Sequence, residues 1–158
     1  AKDGTITAAN SSSISDGASA LILASHEAAQ RHGVKPLAKM LGHATHSRHP
    51  SEFTIAPVGA IEKLMKKLGW GVNDVDLFEI NEAFAVVTLM AMDDLGLPHE
   101  KVNVFGGACA QGHPIGSTGS RIIATLIHAL RTKGGKRGIA SLCIGGGEAT
   151  AVAVELMD

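Results

Sequence analysis

Polar and turn-forming residues crowd together over residues 1–17, with Asn10-Ser11-Ser12-Ser13 followed by Asp16-Gly17, before residues 18–23 become a continuous apolar run. That change predicts a loop and then a buried strand. Ser25 is placed to cap a short helix running through His32, with Gly33 as its stop. Residues 36–41 read as another strand, and residues 42–57, which have no period and contain His43, His46 and His49, read as a long loop. From there Val58, Ile61, Leu64, Met65 and Leu68 recur at helical spacing with Lys63, Lys66 and Lys67 on the other side, so an amphipathic helix is expected, ending near Gly69. Residues 75–80 suggest a short strand, and residues 82–95, apolar on almost every side, a helix buried within layers. Residues 102–105 read as a strand. A glycine-rich stretch, 106–119, then leads to a helix over 120–132, with Ile122, Ile123, Leu126, Ile127 and Leu130 on one face. Residues 139–144 and 149–156 close the chain as two strands. Gly145-Gly146-Gly147 joins them tightly enough for antiparallel pairing. Strands alternating with helices predict an α/β fold containing a mixed sheet.

Composition narrows the picture by exclusion. The chain has 158 residues, 45% of them hydrophobic and 18% charged, enough for one sizeable core. A formal charge of -1 supplies no basic stripe for nucleic acid. Apolar runs such as 84–92 are too short to cross a bilayer, so no membrane partner is expected. The two cysteines, Cys109 and Cys143, form neither a disulfide framework nor a C-x-x-C pair, which suits a reducing compartment. The chain opens on Ala rather than Met, within a polar run, as expected of a piece of something longer.

Three polar clusters fall where strands are expected to end: Asn81-Glu82-Ala83-Phe84, Gly112-His113-Pro114-Ile115-Gly116 and Cys143-Ile144-Gly145-Gly146-Gly147. In open α/β sheets such ends bind ligands, so the three could converge on one site. Each also has a plainer reading: Asn81 as a helix cap, His113 as a hydrogen-bonded loop histidine, Cys143 as a small buried hydrophobe. The run Gly106-Gly107-Ala108-Cys109-Ala110-Gln111-Gly112 resembles a phosphate cradle but lacks a P-loop's Gly-Lys-Ser/Thr ending and a Rossmann G-x-G-x-x-G. Its other use is to let a thioester or pantetheine arm lie against backbone. His43, His46 and His49 suit zinc by residue type. Their irregular surroundings, with only Glu52 as a nearby carboxylate, favour a solvated loop, and no metal is expected. The three lysines read as a solvated helix face.

Taken in order, N-E-A-F, then G-G-A-C-A-Q-G-H-P-I-G-S-T-G-S-R, then C-I-G-G-G closely resemble the thiolase family. Gly4-Thr5-Ile6-Thr7-Ala8-Ala9-Asn10 and Ser15-Asp16-Gly17-Ala18 extend the likeness toward the start of the chain. Thiolases pair two similar layered α/β halves with the active site between them. The resemblance therefore implies that residues 1–33 close the first domain with a strand and a helix, and that residues 34–158 form the C-terminal domain, a mixed sheet with helices on both faces. The same likeness leads one to expect the rest of the first domain, with its nucleophilic cysteine, to lie outside this chain.

The resemblance also assigns roles. Thiolases pass an acyl group from coenzyme A to an enzyme cysteine and attack it with a carbanion from a second acetyl-CoA, or run both steps backwards. By likeness, His113 donates to the enolate oxygen together with a water held by Asn81, Cys143 removes and returns the α-proton, and Gly145 offers a backbone N–H to the second oxyanion. Ala8 and Ser12 match the segment touching the pantetheine arm, Ala83 and Phe84 the wall beside it, and Phe53 a residue over the acyl tail. Two departures bear on substrate size: Ile55-Ala56-Pro57-Val58-Gly59-Ala60 stands where G-P-x-P-A is usual, and Ser13 replaces a glycine in A-S-G. Asn81 separates the chain from related fatty-acid and polyketide condensing enzymes, which usually place a histidine there. The implied function is an acyl-CoA C-acyltransferase of fatty acid metabolism, cytoplasmic, dimeric or tetrameric when complete. It would use acetyl-CoA and acyl-CoA as substrates and hold no tightly bound cofactor. A free C-terminal half acting as a CoA-binding or assembly module is the alternative, and a nucleotide-phosphate enzyme, resting on glycines alone, a third.

Overall fold

The computed structural model describes residues 3–157, so the extreme ends of the two expected domain ranges lie outside the described residues. Four strands, β1 (Ala38–Ser47), β2 (Leu77–Ile80), β3 (Arg137–Ile144) and β4 (Glu148–Leu156), form one sheet in the order β1-β4-β3-β2. β1 and β3 pair with β4 antiparallel, and β2 pairs with β3 in parallel, with Ile80 opposite Ser141. The sheet is thus mixed. Its helices are α1 (His26–Arg31), α2 (Ala56–Leu68), α3 (Ala85–Leu95), the single turn α4 (Ala108–Gln111) and α5 (Ile115–Lys133).

Alternation along the strands builds two cores. Phe78, Ile80, Ile139, Cys143, Ala151 and Ala153 pack against Ile61, Leu64 and Met65 of α2 and Val87 and Ala91 of α3. Leu77, Ala140 and Val154 face Ile122, Leu126 and Leu130 of α5 on the opposite side. Helices therefore cover both faces, as the resemblance implies. Among the described residues no helix is long and apolar enough to cross a membrane.

Several local expectations are corrected. Residues 18–23 form no strand and are exposed, with Ile22 98% accessible, because no strand among the described residues lies beside them to complete a ladder. β1 continues to Ser47 through residues expected to be loop, its half-polar sequence matching an edge strand with one wetted face. Pro50–Ile55 then make a 3₁₀ turn. α3 starts at Ala85 rather than residue 82, since Phe84 is held extended by a bridge to Ser11. It is also not buried all round: Leu89 is 56% exposed. Residues 102–105 contribute only an isolated bridge, Phe78 to Val102. There Asn103 replaces a strand neighbour with its side chain, accepting from Ile80 N–H at 2.8 Å and donating to Ile80 C=O at 2.9 Å. α5 begins five residues earlier than expected, Pro114 serving as its N-cap despite Gly116 and Gly119 within the first turns.

Candidate active site

β2 and β3 run parallel, so their C-terminal ends open on the same side of the sheet, the position from which α/β sheets present ligand-binding groups. Asn81 follows β2 directly. Its backbone N–H extends the ladder to Ser141 C=O at 2.9 Å, fixing where the side chain emerges, and the residue is 1% exposed. Cys143 stands near the end of β3, buried on the face of α2 and α3. Gly145 lies in the exposed β3–β4 turn, where a Cβ would meet nothing within 4 Å. The residue this turn requires to be glycine is Gly147, at φ +94° with its Cβ position against the Arg48 and His49 backbone.

His113 is placed by the segments on either side of it. Gly112, at φ +89°, has its Cβ position occupied by Ser15, which lets the N-terminal segment lie against the loop. His113 N–H donates to Ser13 C=O at 3.1 Å, and Pro114 then starts α5, so the imidazole sits at the positive end of a long helix dipole. Asn81 Nδ2 lies 3.4 Å from His113 Nε2, and Thr118 Oγ1 lies 2.6 Å from Nδ1. Burial first, and the Arg121 guanidinium second, hold the imidazole below its ordinary pKa, so the ring is neutral near pH 7. Burial pushes the Cys143 thiol up.

The proposed CoA-facing residues fall into two contacts. Ser12 donates to Ala83 C=O through both N–H and hydroxyl, each at 3.0 Å. Phe53 and Phe84 meet edge to face with ring centroids 6.0 Å apart. Ala8 opens an exposed 3₁₀ turn, Ala8–Asn10, just ahead of Ser11, which bridges to Phe84. The structure therefore brings Asn81 to His113, Ser12 to Ala83 and Phe53 to Phe84, with Cys143 in the same apolar cluster as Phe53, Ala83 and Phe84 and Gly145 in the exposed turn beyond it.

Cys109 packs against the N-E-A-F segment: its N–H donates to Glu82 Oε2 at 3.0 Å, and burial together with that carboxylate pushes its thiol up. Strand alternation sends His43 and His46 to opposite faces of β1, and among the described residues no group of three or more His, Cys, Asp or Glu gathers.

Sequence reasoning missed Thr118, Asn103 and Glu79. Thr118 could have been found by its spacing, one helical turn beyond Pro114. Asn103 and Glu79 carry no such signal.

The family model for the thiolase C-terminal domain matches residues 34–156, and that for the thiolase N-terminal domain matches residues 1–27. The chain belongs to the thiolase family. An acetyl-CoA acetyltransferase of Chromobacterium violaceum is 50% identical over 98% of this thiolase chain and 39% of its own length. A cytosolic acetyl-CoA acetyltransferase of Mus musculus is 48% identical over 96% of the chain and 38% of its own. The solved structure of human mitochondrial 3-ketoacyl-CoA thiolase in complex with CoA superposes with a TM-score of 0.95 at 47% identity, over 98% of this chain and 39% of that one. This thiolase chain thus spans about two-fifths of the length of the relatives it matches.

Proposed function

We propose that this chain supplies the C-terminal part of an acyl-CoA C-acyltransferase, an acetyl-CoA acetyltransferase working by Claisen condensation or its thiolytic reverse. Residues 1–33 would close the N-terminal domain and residues 34–158 form the C-terminal one. The observation carrying this reading is the pairing of buried Asn81 with half-buried His113 beside the end of the strand bearing Cys143, in a chain of this family.

The chemistry sets what each group must do. A C–H beside a thioester is a very weak acid, so the enolate oxygen needs donors in place before the proton leaves. A neutral imidazole at a helix N-terminus, with a water held by the Asn81 amide beside it, would be such a donor set. Cys143 acts as the base: a thiol pushed up by burial ionises less often but yields a thiolate basic enough for a carbon acid. The exposed Gly145 leaves its backbone open to a second oxyanion. Ser12, Ala83, Phe84 and Phe53 form the wall for the pantetheine arm and acyl group, with Ala8 at its rim. Coenzyme A thioesters, acetyl-CoA and acyl-CoA, are the substrates, in keeping with the CoA complex of the human neighbour.

The nucleophilic thiol comes from a thiolase N-terminal domain, and the completed enzyme assembles as a dimer or tetramer in fatty acid metabolism. A cytoplasmic compartment is supported by the mouse relative, whose name is cytosolic, against a human neighbour whose name is mitochondrial.

The test joins the chain to a thiolase N-terminal domain and measures acetyl transfer. His113→Ala is expected to lose at least ~100-fold in kcat, the scale of one oxyanion donor. Turnover within a few-fold of the parent would sink the assignment. CoA binding without any transfer in the parent would favour the binding-module alternative.

A further inference from the structure

An imidazole that donates to an oxyanion through Nε2 must carry its single proton there, and the tautomer is set by whatever the other nitrogen meets. In this chain Nδ1 meets only a hydroxyl, Thr118 Oγ1 at 2.6 Å, on a residue with 0% exposure. A hydroxyl can either accept from Nδ1–H or donate to a bare Nδ1. Which it does depends on its second neighbour, the Pro114 carbonyl 3.0 Å away. If the hydroxyl proton goes to Pro114, Nδ1 carries the ring proton and Nε2 is an acceptor, useless to a developing anion. If it goes to His113, Nε2 becomes the donor.

Two observations bear on which pattern holds. The Pro114 carbonyl already accepts two backbone N–H groups, from Ser117 at 2.8 Å and Thr118 at 2.9 Å, so the hydroxyl competes there for a carbonyl that is already shared. The ring nitrogen, at 2.6 Å against 3.0 Å for the carbonyl, is the nearer and less crowded acceptor for the Thr118 hydroxyl. The Asn81 amide, 1% exposed, has its oxygen buried without a partner while its nitrogen faces Nε2. Rotating that amide half a turn presents Oδ1 to an Nε2–H, an exchange of two atoms of nearly the same shape.

Resting on the proposed function above, we propose that Thr118 is the positioning residue that fixes the His113 tautomer. Its hydroxyl donates to Nδ1, so that Nε2–H points into the site, parked on the Asn81 amide until an enolate oxygen takes its place. Thr118 touches no substrate. It acts wholly through His113, by deciding which face of the ring is the donor before any charge develops.

The experiment reads the tautomer directly, without substrate or turnover. Two-bond 1H–15N correlation spectra of the uniformly 15N-labelled 158-residue chain distinguish Nε2–H from Nδ1–H imidazoles, with His113 assigned by the signals lost in His113→Asn. The parent is expected to show the Nε2–H form. Thr118→Val, of equal shape without the hydroxyl, is expected to move His113 to a mixture or to Nδ1–H, and Thr118→Ser to restore it. An Nδ1–H ring in the parent, or an unchanged tautomer in Thr118→Val, overturns the proposal. Should Thr118→Val fail to fold, the parent spectrum still decides. In the enzyme completed by an N-terminal domain, Thr118→Val is expected to lower kcat about tenfold, the scale of one hydrogen bond, with KM unchanged and Thr118→Ser near the parent. A correct tautomer in an inactive completed enzyme would sink the function and leave the role of Thr118 standing.

Discussion

Cys143 and Glu79 are both buried acids whose surroundings push them toward the protonated form, and their consequences differ because one is proposed to react and the other is not. With Cys143 as the base, Cys143→Ala in the completed enzyme is expected to abolish exchange of acetyl-CoA α-protons with deuterated water while sparing acylation of the partner domain's thiol. In the parent, exchange should climb as pH rises into and above the ordinary thiol range, since burial holds the thiol protonated. Exchange that persists in Cys143→Ala removes the residue from the role. Glu79, 3% exposed and two residues before Asn81, has one oxygen without a partner. Burial raises its carboxyl from the ordinary 4.5 to about 7, against a smaller opposing pull from Arg121. Because the folded state holds this proton more tightly than the unfolded chain, the stabilisation is complete below pH about 4.5 and is lost as pH rises through about 7. Glu79→Gln, which copies the protonated form, should match the parent in urea midpoint near pH 4.5 and exceed it at pH 8. Parallel midpoints across that range would show that Glu79 does not titrate with folding.

At the scale of elements, β2 is held differently on its two sides. β3 supplies an ordinary parallel ladder, whereas on the other side Asn103 supplies both partners of Ile80 from one side chain, at a backbone φ of +46° that asparagine tolerates better than most residues. Ile80 is 1% exposed, so removing the amide leaves a buried N–H and C=O unpaired next to Asn81. Asn103→Ala is expected to cost on the order of 1–3 kcal/mol per group left unpaired, read as a lower urea midpoint at unchanged slope. A change below half a kcal/mol would mean that the strand end does not depend on this side chain. The long elements were legible: α2 from its apolar spacing, and β3 and β4 from their apolar runs around a glycine turn. β1 beyond residue 41 and the start of α5 were not, because polar edge strands and glycine-bearing helix starts weaken the very periodicities that mark elements.

Over the whole molecule, the N-terminal segment stands out as apolar surface without a cover. Ile14 is 99% exposed, Ile22 98% and Leu23 78%, and Ile115 at the head of α5 is 78% exposed. Such a concentration favours association. The chain alone is expected to sediment as dimers or larger species and to shift to a defined heterocomplex when a thiolase N-terminal domain is co-expressed. A monodisperse monomer at tens of micromolar would contradict it. The chain alone is also expected to form no stable acyl-enzyme with acetyl-CoA, since its only other thiol, Cys109, is pushed up beside Glu82 and lies against the backbone. Intact mass spectrometry checks this, and a stoichiometric acetyl adduct on Cys109 would identify a different nucleophile.

The sequence alone determined the fold class, the two helical faces that clothe the sheet, and the three polar clusters, because hydrophobic period and residue type are local properties. Only the tertiary structure decided which of those clusters touch. Asn81 and His113 are 32 residues apart and meet because β2 ends where α5 begins, a fact set by strand order and the packing of α5. The same long-range packing placed Asn103 beside Ile80, whereas Thr118 reaches the imidazole locally, through the first turn of α5. It also left residues 18–23 bare where their apolar run reads as a buried strand, for a strand is made by a neighbour and no local pattern can supply one.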